Sequence, residues 1–286
     1  RRCNRMCEPL SIASCAALAC LWEATAAKPG NVYRGADFEN LSYADFLASA
    51  AVVGPALEQA ASQGVGAAVR AGAQQTWRIV QQNTNLGILL LLAPLAACRQ
   101  AISTNAVADV LTALTPDDAR YAYEAIRLAQ PGGLGEVDRA DVRSEPPTDL
   151  TLLEAMRLAA DRDAIARQYV NNFHDVFRLA DAIENYASSA PLGAAIVDGF
   201  VWQLSELPDS LIARKCGRDV AEEASDRAAA VAETDTASRE QALADFDFWL
   251  RSGGHRRNPG TTADLVAAAL FVLLRQDRIE WPVRFY

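Results

Sequence analysis

Histidine is nearly missing from this chain of 286 residues: only His174 and His255 occur, too few for a His-rich zinc centre. The six cysteines, Cys3, Cys7, Cys15, Cys20, Cys98 and Cys216, contain no C-x-x-C pair, so metal-site spacing is absent too. Reduced thiols in a cytoplasmic protein are the plain reading. Aromatic residues make up 7% and period-two β-branched runs are hard to find, which argues against sheets. The longest apolar run, Leu86–Cys98, is too short to span a bilayer and holds Pro94. Arg1-Arg2 ahead of Ser11–Leu21 imitates a signal peptide, but that segment is broken by Ser and Cys and runs straight into Trp22-Glu23. It reads as the first helix. Positive charge is also short: Lys and Arg number 27 against 36 Asp and Glu, a net charge of −9. Such a surface repels nucleic acid and anionic lipid, although it leaves a local phosphate pocket open.

What the chain has is alanine and helical periodicity. Hydrophobic residues reach 51% and charged ones 22%, enough for a core and against disorder. Alanine, the best helix former and a weak core filler, supplies much of that total. Ile12, Cys15, Ala16, Ala19 and Trp22 form an i, i+3, i+4 stripe that stops before Lys28-Pro29-Gly30. Ser42 and Asp45 predict a capping box, and Thr115-Pro116-Asp117-Asp118 predicts another helix start. Further helices are expected over Gly64–Gln81, Leu150–Asp161, Asp163–Tyr186, Pro191–Glu206, Asp209–Thr234, Ser238–Arg251 and Ala263–Leu274. Asn83–Gln100 is apolar on nearly every face, the mark of a buried central helix. Gly132–Thr148 is the one long irregular stretch. With no repeat and no splitting linker, residues 1–286 read as a single all-α domain of about ten helices.

Three polar turns between these helices carry candidate chemistry. At Glu23–Arg34, Pro29-Gly30 is a type II turn signature that brings Lys28 and Asn31 together, with Arg34 close behind. Lys and Arg beside free backbone N–H groups suit a phosphate chain, while an ordinary helix end is the even alternative. Asn83-Thr84-Asn85 is more polar than one helix cap requires, which favours ligand lining. Arg256-Arg257-Asn258-Pro259-Gly260-Thr261-Thr262 precedes another helix start, a second anion site. Thr261 and Asp264 have capping-box spacing, so Asp264 can equally be structural. Glu136, Asp138, Asp141, Asp161 and Asp163 add carboxylates. Acids that share a site with phosphates usually hold Mg²⁺, although solvated loop charge and caps explain them more often.

At these junctions, from about Ala13 to Arg275, the sequence resembles the triphosphoribosyl-dephospho-CoA synthase family. The anchors are Glu23 through Lys28-Pro29-Gly30, the Asn83-Thr84 start of the apolar helix, and Pro259-Gly260-Thr261-Thr262-Ala263-Asp264-Leu265. Two departures make the sequence look closer to a divergent archaeal or methylotroph-like branch. Well-known members carry His-Lys after the Asn-Thr, where Asn85-Leu86 stands here. They also carry an Arg-containing Gly-rich motif where this chain has Gly132-Gly133-Leu134-Gly135-Glu136.

The resemblance implies an all-α transferase that moves a triphosphoribosyl group from ATP to 3′-dephospho-CoA and releases adenine. Substitution at an anomeric carbon calls for a carboxylate, as in glycosidases, and for cations and helix N-termini around the triphosphate. Expected roles follow: Glu23 and Asp264 catalytic; Lys28, Asn31, Arg34, Asn83, Thr84, Asn85, Arg257, Asn258, Gly260, Thr261 and Thr262 substrate-binding; Glu23, Asp138 and Asp141 metal-binding with Mg²⁺. Partners are small-molecule nucleotide and coenzyme-precursor substrates, neither nucleic acid nor membrane, with room for a homodimer. A pterin-type acceptor, a Mg²⁺-dependent nucleotide phosphohydrolase and a non-catalytic nucleotide-binding protein stand as alternatives. The phosphohydrolase lacks the paired E-x-x-E acids it would want.

Overall fold

Every route through the fold leads back to two apolar helices. In the computed structural model, which describes residues 9–130 and 147–286, α5 (Leu86–Ala97) is buried at Leu86 and from Ile88 through Ala96. The last helix, α15 (Gly260–Arg275), is buried along nearly its whole length and packs against it. Neither has an amphipathic stripe to show water, so both are forced to the centre.

The other helices wrap this pair. α1 (Ile12–Thr25), α2 (Tyr43–Glu58), the short α3 (Ala60–Gln63) and α4 (Val65–Val80) form the first layer. α6 (Thr104–Thr112) and α7 (Pro116–Ala129) follow α5. Beyond the undescribed residues come α8 (Leu152–Ala159), α9 (Ala164–Val170), α10 (His174–Ala187) and α11 (Leu192–Glu206). Then α12 (Ser210–Cys216), α13 (Arg218–Ala232) and α14 (Arg239–Arg251) lead through the four-residue β1 (Ser252–His255) to α15. The all-α expectation holds, and no helix among the described residues is long and apolar enough to cross a membrane.

Fifteen helices stand among the described residues where about ten are expected. The expected Asp163–Tyr186 helix breaks where Asn172 and Phe173 take positive φ, and Asp209–Thr234 breaks at Gly217. α6, capped by Ser103, is missed because its nine residues give too short a periodic window. The capping box at Ser42/Asp45 and the helix start at Thr115 form as expected; Thr115/Asp118 and Thr151/Glu154 prove to be capping boxes as well.

One buried contact explains how α5 tolerates Pro94 in its interior. Proline has no N–H to give the carbonyl four residues back, which leaves the Leu90 carbonyl without its helical donor. The Tyr169 hydroxyl of α9 donates to it at 2.6 Å. This bond ties α9 to the central helix.

Candidate functional site

The Pro29-Gly30 turn forms as the sequence predicts. Asn31 N–H donates to the Lys28 carbonyl at 3.2 Å, and Gly30 has φ +75°. α14 clasps it: Gly30 N–H donates to Asp247 Oδ1 at 2.7 Å, and Arg251 bridges Asp247 to the Asn31 carbonyl. A Cβ on Gly30 would stand 2.8 Å from Leu250 Cδ1, so the close approach needs glycine as much as the φ does. Two elements far apart in sequence thereby fix the Asn31 side chain in the wall of a cavity.

The expected free backbone donors are not there, because Gly30 N–H is taken by Asp247. Nor does Lys28 face a phosphate. Its side chain is 0% exposed, with Nζ 2.9 Å from Glu23 Oε1 and donating to the Glu23 and Ala26 carbonyls. Arg34 is exposed and Arg257 lies on the Trp249 ring, donating to the Trp249 carbonyl at 2.9 Å. Neither lines the cavity.

That cavity, about 390 Å³, opens where α1, α5, α7, α8, α9, α12 and α15 meet. It gathers Glu23, Asn31, Asn83, Thr84 and Asn85 with Asn258, Gly260, Thr261 and Asp264 from the other end of the chain. The central polar cluster is locally tied. Asn83 Oδ1 accepts from Leu86 N–H at 3.1 Å, Asn85 Nδ2 donates to Thr76 at 3.0 Å, and Thr84 pairs with Ser49.

At the start of α15 the expected capping box does not form. Pro259 is the N-cap, and Thr261 Oγ1 accepts from Ser210 at 3.1 Å. Thr262 turns away from the cavity and gives both N–H and hydroxyl to Asp209 Oδ2, at 2.7 and 2.8 Å. Asp209 also caps α12. Asp264 is thereby free of capping and faces the cavity over Gly87, where any Cβ would collide with its carboxylate. Burial, together with Glu23 and Asp209 nearby, pushes the Asp264 carboxyl well above the usual range, and Arg214 only partly offsets this.

The basic side of the cavity comes from residues the sequence reading passed over: Arg162, Arg214 and Lys215. Arg214 is held by Asp163, which also caps α9 through Ile165 and Ala166 N–H. Arg214 Nε and Asn258 Oδ1 are buried without a hydrogen-bond partner, one donor and one acceptor on the wall of the same cavity. Buried polar atoms without a partner in the chain call for one from outside it, a water, an ion or a ligand. Burial and Arg214 lower the Lys215 ammonium. The available signal was the adjacent Arg214-Lys215 pair before Gly217, overshadowed by Arg256-Arg257.

The metal expectation finds little support in these side chains. Asp138 and Asp141 lie outside the described residues, and Glu23 is already paired with Lys28. No three His, Cys, Asp or Glu side chains among the described residues converge as ligands would.

Comparison with known proteins agrees in kind. The family model for ATP:dephospho-CoA triphosphoribosyl transferase (CitG) matches residues 9–283. A crystal structure of a proposed triphosphoribosyl-dephospho-CoA synthase from Archaeoglobus fulgidus is similar at TM-score 0.64 and 27% identity, covering 80% of this chain and 98% of that one. No curated protein matches the sequence.

Proposed function

Since the chain belongs to the ATP:dephospho-CoA triphosphoribosyl transferase family, we propose that its cavity binds ATP and moves the triphosphoribosyl group to a ribose hydroxyl of dephospho-CoA. The observation that carries this reading is a pair of acids, Glu23 and Asp264, on one cavity in opposite electrostatic settings. Glu23 faces the Lys28 ammonium at 2.9 Å, and Asp264 is pressed toward its neutral form. Two carboxyl groups set apart in this way are the usual arrangement for acid and base in one site.

The reaction breaks the bond from C1′ of the ATP ribose to adenine and forms one from C1′ to the acceptor oxygen. Glu23 takes the acceptor hydroxyl proton, and its negative charge favours the oxocarbenium-like transition state. Asp264 gives its proton to the departing adenine, so the base leaves uncharged. Asn31, Asn83 and Asn85 line the cavity with these acids, and the amide atoms left over from the Leu86 and Thr76 bonds, Asn83 Nδ2 and Asn85 Oδ1, suit the acceptor and donor edge of a purine. Arg214 and Lys215 line the same cavity and receive the triphosphate, with Arg214 Nε already short of a partner.

Mg²⁺ accompanying the triphosphate would neutralise part of its charge. Among the described residues no cluster of acids favours the phosphohydrolase alternative. A cytoplasmic setting fits Cys15, Cys20, Cys98 and Cys216, all free thiols.

The test is to incubate the purified protein with Mg²⁺, ATP and dephospho-CoA and to follow free adenine by chromatography. Adenine appearing in step with a triphosphoribosylated product is the expected result. Phosphate release without adenine, or no turnover, would overturn the reading.

A further inference from the structure

One wall of the cavity is a single uncharged helix face. Leu152, Ala155, Met156 and Ala159 of α8 all line it, and their i, i+3, i+4, i+7 spacing makes them one face of the helix. Across from them stand Tyr123 and Ile126 of α7, which packs on α8. Glu154 and Arg157, the charged residues of α8, are exposed and do not line the cavity. The result is an uncharged trench between two helices, carbon and one thioether on the α8 side and the Tyr123 phenol ring with Ile126 on the α7 side.

Its direction and length are set by the helix. Leu152 to Ala159 is seven steps of helix, about 10 Å at the helical rise, and Arg162 stands in the turn that follows. Leu152 begins the run at 1% exposure and Arg162 closes it, beside the Asp163–Arg214 pair. Ala155 and Ala159 are only half-buried, so two small side chains leave a groove on the cavity side. A ligand along this wall has an anionic end at Arg162 and an uncharged, slender body.

We propose that the α7–α8 trench is the subsite for the uncharged pantetheine arm of the acceptor, so that Ala155, Met156 and Ala159 set the preference for an arm-bearing acceptor. This rests on the transfer reading above. Adenine suits the trench less well. A purine needs hydrogen bonds along its edge, and as a leaving group it needs a proton; the polar side with Asp264 and the asparagines offers both, and the α8 face offers neither. The arm carries geminal methyl groups and a thiol, which lose little on leaving water. Its amides can keep water on the open side of the groove.

Ala155→Leu fills the groove with a helix former nearly as good as alanine and adds no charge; Ala159→Leu is the independent second variant, and circular dichroism checks that each folds. Dissociation constants are measured by calorimetry for dephospho-CoA, for ADP, which is the same nucleotide without the arm, and for ATP. The wild type is expected to bind dephospho-CoA more tightly than ADP. Each variant should weaken dephospho-CoA by about tenfold, the scale of a displaced apolar contact, and leave ADP and ATP within about twofold. Equal weakening of dephospho-CoA and ADP, weakening of ATP, or no change in any of the three would overturn the assignment. The adenine-release assay on the wild type is separate. Arm-dependent binding without adenine release would sink the transfer reading and leave the subsite standing, and the converse would do the reverse.

Discussion

The Lys28 ammonium lies 2.9 Å from the Glu23 carboxylate, with the lysine side chain wholly withdrawn from water and the glutamate 5% exposed. A buried ion pair is costly to break from one side, because the charge left behind has no partner. Lys28→Met is therefore expected to destabilise the fold by about 3–5 kcal/mol. Lys28→Met with Glu23→Gln should recover much of that in urea melts and still release no adenine, because the base is gone. If Lys28 bound phosphate instead, Lys28→Met would raise the KM for ATP with little loss of stability.

Asp264 gives a pH prediction with a definite sign. Its carboxyl is held above the usual range by burial, by Glu23 and by Asp209, so the folded chain keeps a proton that the unfolded chain gives up. This contribution to stability is present below the unfolded pKa and is lost as pH rises toward the folded value. Asp264→Asn should flatten that fall, leaving the variant less sensitive to pH in urea melts between weakly acid and neutral conditions. Asp209, also raised by burial, keeps its own share of the slope. In kinetics, kcat/KM for adenine release should decline on the alkaline side as Asp264 loses its proton. An Asp264→Asn enzyme that keeps both the decline and the rate would remove Asp264 from the chemistry.

The Tyr169 hydroxyl and Pro94 form a testable couple through the Leu90 carbonyl. Tyr169→Phe leaves that carbonyl buried without a donor and should cost about 1–3 kcal/mol. Pro94→Ala restores an N–H four residues on, so the tyrosine deletion should cost less in that background. A double-mutant cycle by urea denaturation that shows no coupling would mean the tyrosine acts through packing alone.

The fold was legible where local rules act alone. Apolar residues on every face placed α5 at the centre, and Pro29-Gly30 announced its own turn. The site was legible in its acids and asparagines, because Glu23, Asn31, Asn83–Asn85, Asn258 and Asp264 do line one cavity. Charge was misjudged because its role depends on partners distant in sequence. Thr262 looks like a ligand residue until Asp209, 53 positions away, takes its hydroxyl. The Thr261–Asp264 spacing fits a capping box, yet Ser210 bonds Thr261 and Gly87 makes room for Asp264. Spacing within a helix carries no record of either neighbour.

The same reasoning separates the cations proposed to meet the triphosphate from those that do not reach the cavity. Arg34 is in water and Arg257 is stacked on Trp249, whereas Arg214 lines the cavity with Nε unpartnered and its guanidinium aimed by Asp163. A lysine at 214 would keep the charge but lose the planar fork that can serve a carboxylate and a phosphate together. Arg214→Lys should therefore raise the KM for ATP about ten- to a hundredfold, the loss of one charge-assisted hydrogen bond or two. Arg34→Gln and Arg257→Gln should leave that KM within about twofold, since neither side chain reaches the cavity. Steady-state adenine release at varied ATP measures all three. A large KM increase in Arg34→Gln with none in Arg214→Lys would move the phosphate site back to the Pro29-Gly30 turn, where the charge pattern of the sequence first placed it.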